Sequence, residues 1–183
     1  MKKFLLLTPL ALLFFIFTAF KSDDGLQIVI RKGKVTINKS QVVPNWSLSG
    51  FKKVLGEPER ERTGYNNTHT YDKNSIVLFE PAKEKVGGGI VSEFQIHFKV
   101  TEANDVTPTG DGFQGNLSVD NLIITEVLTA EGMLSKLKKW KKTDSYMEHS
   151  YRMASKGLYI YFQFNDDENR LLKVSIGPDK SSK

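Results

Sequence analysis

Gly33-Lys-Val-Thr-Ile-Asn38, followed by Trp46-Ser-Leu-Ser-Gly-Phe51 and Val54-Leu55, recurs without a gap as Gly115-Asn-Leu-Ser-Val-Asp120, Leu128-Thr-Ala-Glu-Gly-Met133 and Lys136-Leu137, from position 33 to 115, an offset of 82. After a two-residue deletion the correspondence continues. Thr68-His-Thr-Tyr71 then aligns with Glu148-His-Ser-Tyr151, and Ile76 to Phe79 faces the aromatic run Leu158 to Phe162. This self-similarity predicts an α+β fold of two tandem repeats, each a short helix packed on a mainly antiparallel sheet. Duplicated small units of this kind usually join into a continuous layer whose face or edge is a binding surface.

The spacing of apolar residues places the elements. Leu26 to Ile30 and Val35 to Asn38 read as a hairpin around Lys32-Gly33. Ser47 is an N-cap for a helix carrying Leu48, Phe51, Val54 and Leu55, which stops at Gly56 ahead of Pro58. Strands follow at Thr68 to Tyr71, Ser75 to Phe79 and Ile90 to Val100, the last alternating Phe94, Ile96 and Phe98 with Gln95, His97 and Lys99. Repeat one thus covers residues 26–100. Residues 101–115 read as a linker, since the run from Thr101 to Leu128 holds five acidic residues and no basic one. Repeat two, residues 116–178, runs through strands Leu117 to Val119 and Leu122 to Val127. A helix from the N-cap Thr129 through Met133, Leu137 and Trp140 comes next, then strands Met147 to Met153, Gly157 to Phe164 and Arg170 to Ile176. Asn165 to Asn169 is the last turn. Each repeat is near the size where a lone core is marginal, so the halves should pack together.

Residues 1–22 carry the pattern of an export signal. Lys2 and Lys3 precede an apolar stretch, Phe4 to Phe20, interrupted only by Thr8, Pro9 and Thr18. Such a segment directs the chain out of the cytoplasm, as a cleaved signal peptide or as an N-terminal membrane anchor with its positive charge inside. The predicted location is the periplasm, or the extracytoplasmic side of an inner membrane contacted through residues 4–20.

Composition narrows the function. The chain has 26 Lys and Arg against 21 Asp and Glu, a net charge of +5. That balance is too mild for the dense basic stripe of a nucleic-acid binder. With no cysteine, disulfides, thiol catalysis, thiolate metal sites and a lipid-modified cysteine are all excluded. Gly87-Gly-Gly89 lacks the following Lys-Ser/Thr and helix of a phosphate loop. Asp166-Asp-Glu168 lacks the ligand spacing of a calcium loop. No cofactor or metal is implied.

Two clusters remain. His69 and His149 hold equivalent positions, each two residues before a tyrosine, and with Asp72 or Glu148 would form the site of an envelope hydrolase or metal-dependent enzyme. Lys136, Lys138, Lys139, Lys141 and Lys142 surround Leu137 and Trp140 as a candidate basic helix surface for anionic lipid or a cell-wall polyanion. The alternative for the second cluster is that Met133, Leu137 and Trp140 are core and the lysines solvate the other side.

The passage Phe51-Lys-Lys-Val-Leu-Gly-Glu-Pro58, through Leu55, Gly56 and Pro58, resembles the small exported α-β repeat of bacterial outer-membrane assembly lipoproteins and tandem β-lactamase inhibitor proteins. In repeat two Leu137 is kept, while Lys138 and Trp140 replace the glycine and proline. The resemblance implies a non-catalytic role in binding another envelope or secreted protein, of inhibitor, immunity or assembly type. Aromatic strands suit recognition surfaces. Tyr65, Tyr71, Tyr151, Tyr159 and Tyr161 are therefore the candidate binding residues.

Overall fold

A computed structural model describes residues 25–42, 46–81, 89–100 and 104–179. The export segment and Gly87-Gly88 lie outside the described residues, as do the first three positions of the linker.

Local chemistry sets the elements. β1 (Gln27–Arg31) and β2 (Lys34–Ile37) form a hairpin with Ile30 opposite Val35. Its two turn residues, Lys32 (φ 54°) and Gly33 (φ 75°), are both left-handed, as a two-residue hairpin turn requires. A Cβ at Gly33 would sit 2.7 Å from the Lys156 carbonyl oxygen, so glycine is needed there for space as well. β3 (Ser40–Gln41) adds a short edge. α1 (Leu48–Leu55) is capped by Ser47, whose hydroxyl accepts from the Gly50 N–H at 3.1 Å, and ends at Gly56. Next come β4 (Arg60–Arg62), β5 (Asn66–Tyr71), a 3-10 turn at Asp72–Asn74, β6 (Ile76–Pro81) and β7 (Glu93–His97). The second half holds β8 (Asn116–Val119), β9 (Leu122–Ile124) and α2 (Ala130–Lys136), the last capped by Thr129. β10 (Lys141–Thr143), β11 (Ser150–Ser155), β12 (Leu158–Phe164) and β13 (Leu171–Pro178) complete the chain.

The strands form two sheets. The smaller has the order β3-β2-β1-β8-β9, with β1 and β8 parallel and Ile28 beside Leu117. The larger is antiparallel throughout, in the order β10-β11-β12-β13-β7-β6-β5-β4. Outward from its central β7–β13 pair, where Ile96 faces Val174, the strands run β7-β6-β5-β4 one way and β13-β12-β11-β10 the other. The fold is α+β, dominated by sheet, with two short helices.

One buried cluster joins both sheets and both helices. Ile28, Ile30, Val35, Ile37, Leu117 and Val119 come from the smaller sheet, and Phe94, Ile96, Ile160, Phe162, Val174 and Ile176 from the larger. Phe51 of α1 meets Phe94 with ring centroids 5.6 Å apart and Trp46 at 6.0 Å. From α2 and the turn after it, Met133, Leu137 and Trp140 are buried, with the Trp140 indole N–H donating to Asp120 Oδ2 at 2.9 Å. These three are core.

Several predicted boundaries are corrected. α2 stops at Lys136, and Lys141 and Lys142 lie on β10, so the five lysines do not share one helix face. The strand predicted from Ile90 begins at Glu93, and Ser75 is a left-handed turn residue (φ 52°). The strand predicted to reach Val127 ends at Ile124. The strand predicted from Met147 begins at Ser150, because His149 (φ 51°) turns the chain. Two short edge strands, Arg60-Glu-Arg62 and Lys141-Lys-Thr143, carry no apolar alternation and so leave no sequence signal. Their charge keeps the open edges of the larger sheet from pairing with other chains.

The described part of the linker is docked. Phe113 donates its N–H to the His97 carbonyl at 2.8 Å and meets the Phe98 ring edge-on at 5.8 Å. Gly112 (φ 99°) lies against the Phe98 carbonyl, where no Cβ would fit.

Candidate functional site

The larger sheet turns one face to the core and the other outward. Along β12, Leu158, Ile160, Phe162 and Phe164 point in and are buried, so the two-residue period sends Tyr159, Tyr161 and Gln163 out. Register carries that outward face across its neighbours. Arg152 stands opposite Tyr161 on β11, Ser175 opposite Tyr161 and Lys173 opposite Gln163 on β13, and Gln95 and His97 opposite Ser175 and Lys173 on β7. The result is a polar floor with two tyrosines.

Two loops wall this floor. Asn104 to Thr107 rises on one side, and Asp144 to Met147, with Tyr146 fully exposed, on the other. Two adjoining clefts of about 400 Å³ each share Gln95, Met147, Gln163 and Lys173 and together make one groove. That size and openness suit a few side chains of a partner.

The groove is electrostatically divided. At one end the Tyr159 hydroxyl donates to Glu93 Oε2 at 2.6 Å, and burial together with the Glu93 charge pushes the phenol far above its ordinary range. Gln95 donates to the other Glu93 oxygen at 2.8 Å. The Arg152 guanidinium lies 4.7 Å from the Tyr159 ring centroid and donates to Asp179 Oδ1 at 3.0 Å. At the other end burial lowers the Lys173 ammonium, with Glu93 acting in the opposite sense. Burial, with the Lys173 charge adding to it, brings His97 down to about 4, so its imidazole is neutral at neutral pH. His97 is 5 % exposed and its Nε2 is buried without a hydrogen-bond partner.

The five candidate tyrosines are dispersed. Tyr159 and Tyr161 line the groove, the latter accepting from Ser145 Oγ at 3.3 Å. Tyr65, 85 % exposed, sits in the turn before β5. Tyr151 lies on the other face of the sheet, donating to Glu168 Oε2 at 2.7 Å under the Lys142 ammonium. Tyr71 is corrected from surface to core. It is 1 % exposed, with its hydroxyl donating to the Gly56 carbonyl at 3.2 Å.

The histidine pair does not converge. In the strand order β5 and β11 are five spacings apart, roughly 24 Å across a flat sheet. His69, 6 % exposed, is clamped between Glu61 Oε1 (3.0 Å from Nδ1) and Glu80 Oε2 (3.1 Å from Nε2). Both ring nitrogens face carboxylate oxygens, which fixes the orientation of the ring. His149 faces Glu168 at 3.3 Å. Asp72 is engaged by Arg60, so neither predicted carboxylate partnership forms around one pocket. Lys136, Lys138, Lys139, Lys141 and Lys142 are all exposed but divided between the end of α2, the following turn and β10.

Lys173, Gln95, Gln163 and Glu93 carry no sequence signal of a site, and His97, the third histidine, has no counterpart in the second repeat that would mark it as one. The alternation of Gln95 and His97 with Phe94 and Ile96 marks them as outward-facing, but nothing local places them beside Lys173.

Residues 27–133 match the family described as a domain of unknown function, DUF7738. No curated protein and no solved structure matches the chain. The matched segment contains β7 and ends within α2, so the groove is built half from it and half from the strands that follow. Covering more than half of the chain, the match establishes that this protein belongs to the DUF7738 family.

Proposed function

We propose that this chain is an exported, non-catalytic binding module of the bacterial cell envelope that recognises another envelope or secreted protein through the groove on the outward face of its larger sheet. The observation that carries the reading is the groove itself, where Tyr159 and Tyr161 stand on a rigid sheet among amide and charged side chains, flanked by the exposed Tyr146 and Met147. Tyrosine and methionine at a polar rim are the composition of a recognition surface. Export rests on the charged and apolar pattern of residues 1–22. The reading as two tandem units is supported by the mirrored strand order of the larger sheet and the two capped helices. Inhibitor, immunity and assembly roles all follow from such a surface, in keeping with the resemblance around Leu55, Gly56 and Pro58.

The test is site-specific photo-crosslinking in native membranes. A photoreactive residue at Tyr146 is compared with one at Ile123, exposed on the smaller sheet. A single protein adduct from position 146 that weakens on Tyr161→Ala is expected. No adduct at 146, or the same adduct from both positions, overturns the groove as the binding surface.

A further inference from the structure

Among the described residues the groove holds a lysine without a hydrogen-bonded anion beside an imidazole whose Nε2 has no hydrogen-bond partner. Lys173 and His97 are direct cross-strand neighbours, and both line the cleft bounded by Asn104 to Thr107. Among the described residues the Lys173 ammonium makes no hydrogen bond or ion pair. The carboxylate whose field reaches it, Glu93, already accepts from Tyr159 and Gln95. A cation kept partly out of water without a hydrogen-bonded anion is costly, and so is a buried imidazole nitrogen with nothing to bond.

One ligand chemistry relieves both. An oxyanion between the two groups would accept from the ammonium and from the imidazole N–H, with the Gln163 amide as a further donor lining the same cleft. The inward end of the cleft supplies one full charge and neutral donors, while Lys99 stands exposed at its edge. A single negative charge matches that set better than a phosphate dianion. We propose that this cleft is a carboxylate-binding site, with Lys173 and His97 as its principal donors, taking an acidic side chain or chain end of the protein partner. It rests on the groove being the binding surface.

The test is a titration of the full chain in detergent micelles, with its three histidines ring-labelled for NMR. Sodium acetate is added at constant ionic strength against sodium chloride, and sodium phosphate is titrated separately. The expected result is a saturable shift of the His97 signals with those of His69 and His149 unmoved. Lys173→Gln should weaken the response at least about tenfold, as loss of a charge-assisted hydrogen bond does, and Lys173→Arg should largely keep it. If Lys173→Gln does not fold, the wild-type titration and Lys173→Arg still decide. An unmoved His97, or an equal response in Lys173→Gln, overturns the site. Tighter binding of phosphate than of acetate overturns the carboxylate assignment. An acetate response without a Tyr146 adduct removes the protein-binding reading and keeps the site, whereas an adduct without an acetate response does the reverse.

Discussion

Arg60 holds Asp72 through two parallel hydrogen bonds, Nε to Oδ2 at 2.8 Å and Nη2 to Oδ1 at 2.7 Å, and the same pair ties down the linker. Arg60 Nη2 also donates to the Thr107 carbonyl at 2.7 Å, and Asp72 Oδ1 accepts the Thr109 N–H at 2.8 Å. An edge strand, a turn and the 104–109 segment, one wall of the groove, are thereby joined by one ion pair.

Replacing Asp72 by Ala leaves the guanidinium and an amide without their acceptor. We expect a loss of about 1–3 kcal/mol in urea unfolding and faster proteolysis within residues 104–109. The Arg60 hydrogen bonds hold the Asp72 carboxyl at about 2, below its ordinary value. Its contribution is complete above about pH 4 and is lost as pH falls towards 2. A wild-type protein and an Asp72→Asn variant with the same acid profile over that window would refute this.

His97 titrates in the opposite sense to a salt-bridged histidine. Its folded value, about 4, lies below the ordinary 6.5, so the unfolded chain binds more protons between these limits. Stability is complete above about pH 6.5 and falls until about pH 4, by up to roughly 3 kcal/mol. Urea midpoints at pH 7.5 and 4.5 should separate for the wild type more than for His97→Gln. Equal separations would show that His97 is not the group responsible.

His69 should behave as a clamp. Removing it leaves the Glu80 carboxylate, only 13 % exposed, without its imidazole partner, while Glu61 keeps the Lys52 ammonium at 3.0 Å. We expect His69→Ala to cost about 1–3 kcal/mol, the range for a buried polar group left without its hydrogen-bond partner. Glu80→Gln in the same background should recover part of that loss. Strict additivity in the double-mutant cycle would mean that the two side chains do not interact.

Trp140 anchors the turn after α2 to the β8–β9 turn. Trp140→Phe keeps most of the buried ring but deletes the donor to Asp120 Oδ2, and should cost about 1–2 kcal/mol in chemical denaturation. Asp120→Asn retains an acceptor and should cost less. Asp120→Ala, which deletes the acceptor, should cost about as much as Trp140→Phe, and a Trp140→Phe loss that Asp120→Ala does not share would place the stabilisation in packing alone.

Acting within a few residues, side-chain chemistry along the chain set the Ser47 cap and Gly56 stop of α1, the alternation that buries Leu158, Ile160, Phe162 and Phe164, and the inward face of α2 at Met133. Each follows from a side chain meeting its own helix turn or its own strand pleat. The tertiary structure alone decided which strands are neighbours. The order of the larger sheet separates His69 from His149 by five strand spacings and brings His97 opposite Lys173, 76 positions along the chain (97 to 173). It also decided that Tyr71 is core while Tyr159 and Tyr161 face outward, and that Val77 is buried although it faces away from the core-side row of Ile76 and Leu78. Pleat and cap are local consequences of backbone geometry. Strand pairing is a long-range choice made by burying the whole apolar surface at once, and no window of sequence records it.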